Sequence, residues 1–223
     1  MLTLAYAVLG ALGLMLAPPP GYASPVFPAA GLALAAVLIL GNRALPGIWF
    51  GALTIHVTSA WLDHNLGWVS FLFAVAMSCG ASLQAWAGRM LITRFQGEQW
   101  RTLENERSIF NFLALGGPLP CLISSSVGVA CLFLLGRLDK SGYFSTWWAW
   151  YVGDVLGVLI GAPAVLCLLI RPDDLWGERR RRLVAPMLLV LALVGGALLG
   201  AARWEQPRHR RFGPRVVQRL ADG

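Results

Sequence analysis

The chain has 223 residues, 57% of them hydrophobic and only 13% charged, with a mean hydropathy of +0.63. A soluble domain carries roughly 25% charged residues, so this composition argues against a water-facing surface for a fold of this size. The net charge of +7 comes from 18 Arg and Lys, all Arg except Lys140, against 11 acids. The basic residues fall between apolar runs, where they set membrane topology rather than bind nucleic acid.

A transmembrane helix needs about 20 mostly apolar residues, and seven runs are predicted as spans. The first, residues 2–17, is short. It has no basic segment in front and ends at Pro18, Pro19 and Pro20, so it reads as an uncleaved span rather than a signal peptide. The second, 26–40, is entered through Pro25 and Pro28, and the third, 46–62, has Pro46 in its first turn, where proline is tolerated. The fourth is 67–92. The fifth, 108–135, is interrupted by Gly116, Gly117, Pro118, Leu119 and Pro120. Proline removes a backbone donor, and irregular backbone at membrane depth survives only where protein buries it or a cavity adjoins it. The sixth is 144–170 and the seventh 183–201.

With the N-terminus inside, the inner loops carry Arg43, then Arg89, Arg94, Arg101 and Arg107, then Arg171 and Arg179 to Arg182. The outer loops carry Arg137 and Lys140. Ten against two is a firm positive-inside signal. The tail, 202–223, departs from it: after seven spans it falls outside, yet it holds six Arg. Either one of the seven runs is not a span, or the natural architecture has an eighth span that this chain lacks and that would return the tail to the cytoplasm; the second is favoured.

The sixth run contains the residue with the most to explain. Asp154 lies ten residues in from Phe144, roughly 15 Å deep. A carboxylate there costs on the order of several kcal/mol unless it faces the bundle interior with a partner. Trp147, Trp150, Tyr151 and Asp154 are spaced i, i+3, i+4 and i+7 and share one helix face. Gly153, Gly157 and Gly161 form an adjacent groove that another helix can approach closely. His56, about 15 Å from the inner end of the third span, is the depth-matched partner for Asp154. Ser78 and Cys79 reach similar depth, Gln84 lies nearer the cytoplasm, and Ser124 to Ser126 lie nearer the outside. Two readings follow. One is an interhelical clasp, with Asp154 hydrogen-bonded to His56, Ser78 or a backbone amide freed by the broken fifth helix. The other is a signal-binding or proton-sensing site, where the aromatic wall receives a cation and Asp154 is its counterion.

Other features read more plainly. Cys79, Cys121, Cys131 and Cys167 lie in apolar spans without metal-ligand spacing and act as small packing residues. No metal or cofactor is expected. Asp63 and His64 form a solvated outer loop. Trp49, Trp61, Trp68 and Trp176 are interfacial anchors, and the Gly196, Gly200 spacing is ordinary packing.

Three segments together resemble one family. They are Pro28 to Ala36 running on to Gly41, Asn42, Arg43, Pro46, Gly47, Gly51 and Ala52; Leu122 to Val129; and Trp147 to Pro163, with its core Trp-x-Tyr-Val-Gly-Asp. Their order and spacing are similar to the first type of membrane-associated sensor domain, the MASE family of bacterial signalling proteins, over roughly residues 20 to 200. The resemblance implies an all-α, polytopic inner-membrane bundle, typically of eight spans, N-terminal to a histidine kinase, diguanylate cyclase or phosphodiesterase. It implies an integral-membrane sensor domain over 1–201 followed by a basic tail over 202–223. The chain reaches Gly223 without a kinase or cyclase motif, so it reads as a truncated, frame-altered or stand-alone sensor module. The partners expected are the lipid bilayer, a second copy in a homo-dimer and a cytoplasmic kinase or cyclase output. The leading function is therefore a sensor and not an enzyme. The alternative is a small transporter or permease using Asp154 at the midplane, which Pro-interrupted spans fit but the lack of an internal repeat weakens. An intramembrane enzyme would pair Cys79 with His56, and no accompanying pattern supports it.

Overall fold

The computed structural model describes residues 1–17, 24–97, 100 and 106–169. The predicted seventh span, Arg179 to Arg182, Trp176, Gly196, Gly200 and the tail lie outside the described residues. Among the described residues the regular elements are seven α-helices: α1 (Leu2–Met15), α2 (Pro28–Leu40), α3 (Leu45–Leu62), α4 (Trp68–Gln96), α5 (Glu106–Gly116), α6 (Pro118–Leu134) and α7 (Tyr143–Leu169). Short 3-10 turns at Gly41–Ala44 and Lys140–Gly142 precede α3 and α7. Among the described residues four helical stretches are long and apolar enough, by length and composition, to cross a membrane: Pro28–Leu62, which joins α2 and α3 through the Gly41–Ala44 turn, Trp68–Gln96, Ser108–Leu134 and Lys140–Leu169. The chain is an all-α, polytopic membrane bundle.

Prolines sit where a helix start can take them: Pro28 and Pro118 open α2 and α6, and Pro46 is in the first turn of α3. At these positions the missing N–H has no partner to lose. The fifth predicted span breaks at Gly117, whose φ of −99° and ψ of −90° are not helical. The pieces on either side are α5 and α6.

Neighbouring glycines and rings give each helix its direction. Trp49 lies against Cys79 and His56 against Phe73, so α3 and α4 are antiparallel. Gly80 adjoins Val127 and Gly88 adjoins Pro120, so α4 and α6 are antiparallel too. Gly128 meets Trp150 and Gly117 meets Leu159, which makes α6 and α7 antiparallel. Segment 24–31 follows α7 in parallel, from Gly153 to Ala162, and α1 follows α3 in parallel, from Gly47 to Ile55. The chain therefore reverses at Gly41–Ala44, where Gly41 adopts a φ of +66° that favours glycine. Turn 41–44 lies at one end of the bundle, and loops 63–67 and 135–142 lie at the other.

α2 is the centre of the bundle. Every residue from Ala29 to Leu38 is buried, as expected for a helix that is apolar all round. Leu34 fits between Gly88 of α4 and Gly116 of α5. At 13 residues α2 is about 20 Å long, short of a hydrocarbon core of about 30 Å. It differs in this from the full span read in the sequence. It starts at the level of Gly157 to Gly161, well in from the Tyr143 end of α7, and runs to the 41–44 turn. The outer surfaces are apolar: Leu4, Val8 and Leu12 on α1, and Leu72, Leu83, Trp86 and Met90 on α4, face the bilayer.

Candidate functional site

Asp154 is 3% exposed and lines a cavity of about 320 Å³. Asp63, Asn65, Ser70 and Arg137 line the cavity at the 63–67 loop end. Ser59, His56 and Phe73 follow further in, then Trp150, Gln84 and Asp154, with Leu34, Gly116 and Val158 beyond them.

Three local features put the carboxylate there. The first is the glycine face of α7. A Cβ on Gly153 would strike the Ser24 carbonyl, and one on Gly157 would strike the Phe27 carbonyl. On the facing side, a Cβ on Gly31 would meet α7 backbone at Gly157, Gly161 and Ala162. Without side chains the two backbones come close enough for the Phe27 N–H to donate to Gly153 O at 3.0 Å. The second is the 24–27 segment, irregular backbone that lies beside the cavity. Its Ser24 hydroxyl is 2.7 Å from both Gly13 O and Val26 O, tying the end of α1 to the start of α2. The third is the break at Gly117, since Gly116 also lines the cavity.

The polar neighbours able to hydrogen-bond the Asp154 carboxylate are Ser124 of α6 and Gln84 of α4. Both are themselves buried. Gln84 Nε2 also donates to Cys121 Sγ at 3.4 Å, whereas Gln84 Oε1 is buried without a hydrogen-bond partner among the described residues. Depth matching had singled out His56 instead. His56 lines the same cavity, but its ring packs edge-on to Phe73, with centroids 5.8 Å apart. Ser78 donates to Ala74 O of its own helix at 2.7 Å. Counting residues from a predicted span end fixes neither the direction of a side chain around its helix nor its height in the bundle: Gln84, expected nearer the cytoplasm, and Ser124, expected nearer the outside, both neighbour Asp154.

The aromatic face divides. Trp150 lines the cavity and packs over Gly128, where a Cβ would come within 2.9 Å of the indole. Trp147 and Tyr151 stack on each other, 5.3 Å apart and 4° from parallel, beside Phe144 and Trp148 and away from the cavity. Trp147 Nε1 donates to Ser126 Oγ at 3.2 Å. Cys79 accepts a hydrogen bond from Trp49 Nε1 at 3.4 Å, so the Cys79 and His56 chemistry weighed in the sequence has no assembled site in these contacts. Among the described residues no group of three or more His, Cys, Asp and Glu side chains converges as metal ligands.

A family model, MASE1, matches residues 1–204. MASE1 domains are membrane sensor domains of signalling proteins, sensory rather than catalytic. No curated protein and no solved structure matches the chain.

Proposed function

The chain belongs to the MASE1 family, and on that premise we propose that it is the inner-membrane sensory module of a bacterial signal-transduction protein. On this reading it takes up a stimulus in the Asp154 cavity and relays it to a cytoplasmic kinase or cyclase output. Residues 1–201 form the sensor domain and 202–223 a basic tail. The Arg-rich loops face the cytoplasm, so the cavity mouth at Asp63, Asn65 and Arg137 faces outward.

One observation carries the reading: α2 has one end in the cavity and the other at the cytoplasmic turn. Ser24, Phe27, Ala30 and Ala33 line the cavity. Nine residues beyond Ala33, Asn42 Oδ1 accepts a hydrogen bond from Arg89 Nη1 at 3.1 Å. A stimulus that displaces the start of α2 therefore has a buried, continuous path to the inner face. Coupling of this kind needs an element with two arrangements that the stimulus biases, and α2 is the element offered.

The test uses the host's own kinase or cyclic-nucleotide output, with wild-type and Asp154→Asn chains at matched membrane abundance. Loss of the stimulus response with abundance intact is the expected result. An unchanged response, or solute flux in reconstituted vesicles that depends on Asp154, overturns the reading.

A further inference from the structure

We propose that the Asp154 cavity binds a small organic ammonium ion, with the charged nitrogen between Asp154 and Gln84 and the apolar body against Trp150 and Phe73. This names the ligand class for the sensory site and rests on that reading of the cavity.

Charge favours a cation. The acid is deep in the cavity, whereas Arg137 is at the mouth. Ser124 and Gln84, the polar side chains able to hydrogen-bond Asp154, are neutral, and a bound ammonium supplies the opposite charge that favours an ionised carboxylate at this depth.

A second observation is independent of the carboxylate. Gln84 is 6% exposed and, among the described residues, its Oε1 has no hydrogen-bond partner. A buried acceptor without a donor costs about 1–3 kcal/mol, so its presence beside the cavity calls for a donor from outside the chain. An ammonium brings up to three N–H donors, enough for Asp154 and Gln84 Oε1 together.

Size and walls favour an organic ion over a bare metal ion. The volume of about 320 Å³ falls at the small end of ligand pockets. Most of the wall is apolar, and Trp150 and Phe73 are aromatic residues in it against which the body of an organic cation can pack. A hard cation would want a shell of six or more oxygens, and this part of the cavity offers the side-chain oxygens of Asp154, Gln84 and Ser124.

The experiment is calorimetric titration of the full chain in lipid nanodiscs, with empty nanodiscs subtracted. The probes are 2-phenylethylammonium, its neutral counterpart 2-phenylethanol and its anionic counterpart 3-phenylpropanoate. The ammonium is expected to bind wild type at least tenfold more tightly than either counterpart. Asp154→Asn should erase that preference, and Gln84→Leu should weaken the ammonium three- to tenfold while leaving the alcohol unchanged. The preference among probes in wild type needs no variant to fold. Equal binding of the three, tighter binding of the anion, or displacement of the ammonium by sodium chloride but not by N-methylglucamine chloride overturns the proposal. If the preference holds and the host output ignores amines, the sensor reading falls and the ligand class stands. If wild type shows no preference and the output still depends on Asp154, the ligand class falls and the sensor reading stands.

Discussion

The close approach of segment 24–31 to α7 can be tested with three alanines. At Gly157 a new Cβ strikes the Phe27 carbonyl oxygen and carbon. Neither atom can rotate away, because Phe27 is held by its own N–H bond to Gly153. Overpacking of this kind costs about 1–3 kcal/mol, and rigid backbone on both sides puts Gly157→Ala at the upper end. Alanine regains about 1 kcal/mol of helix propensity over glycine, leaving a net loss of about 2 kcal/mol. At Gly161 the nearest atoms are Pro28 O at 3.2 Å and Gly31 Cα at 3.3 Å. A shift of a few tenths of an ångström relieves them, so strain and propensity cancel to within about 1 kcal/mol. At Gly47 a Cβ meets only the flexible Leu2 side chain, and Gly47→Ala should be neutral or stabilising by up to about 1 kcal/mol. The assay is reversible unfolding in mixed micelles, followed by far-UV circular dichroism. Equal stability of Gly157→Ala and Gly47→Ala would refute the packing of segment 24–31 on α7.

Two further outcomes follow from the same geometry. Ser24→Ala leaves the buried carbonyls of Gly13 and Val26 without the hydroxyl that serves them, at a cost of about 1–3 kcal/mol in the same unfolding assay; a neutral result would mean that this hydroxyl does not hold α1 to α2. For orientation, cysteines placed at exposed Asn65 and Asn42 should differ towards a membrane-impermeant maleimide. Asn65→Cys should label in intact spheroplasts and Asn42→Cys only after lysis, against the baseline of the four native cysteines, all within helices. The reverse pattern would invert the topology.

The helical membrane class was legible because apolar runs of span length have few other solutions. The site was legible in one residue: a carboxylate inside an apolar run identifies itself by its cost. Its surroundings were hidden for three physical reasons. Hydropathy reports the absence of water, not the presence of lipid, so the Ala, Gly and Leu run of α2 reads as a span although protein surrounds it. Depth counted from a predicted span end gives neither azimuth nor height in the bundle, so His56 reads as level with Asp154 although its ring lies against Phe73, about three turns along α4 from Gln84 beside the carboxylate. Helical periodicity defines a face but not its neighbour, so Trp147, Trp150 and Tyr151 share a stripe in sequence while Trp150 alone of the three lines the cavity.

Three costly features meet at one depth. The carboxylate of Asp154 is expensive in hydrocarbon. The irregular backbone of residues 24–27 and the break at Gly117 each interrupt the helical pairing that lipid enforces. Each could be accommodated separately, by a polar neighbour or a covering helix. Ser24, Phe27, Gly116 and Asp154 instead all line the same cavity. A clasp that only held helices together would need one well-satisfied hydrogen bond and a filled interior, since voids lose packing contacts and each unsatisfied group adds its own penalty. Here the interior is open, Gln84 Oε1 has no hydrogen-bond partner among the described residues, and the 13-residue α2 is short of a full span. A fold that needed only stability would gain from closing that space with larger side chains at Ala30, Ala33 or Ala85, all three of which line it. The small residues kept there argue that the space itself is the feature the bundle maintains. Substituting leucine at Ala85 should then remove ligand response while leaving thermal stability equal or higher, whereas a purely structural cavity would give the stability gain with no loss of response.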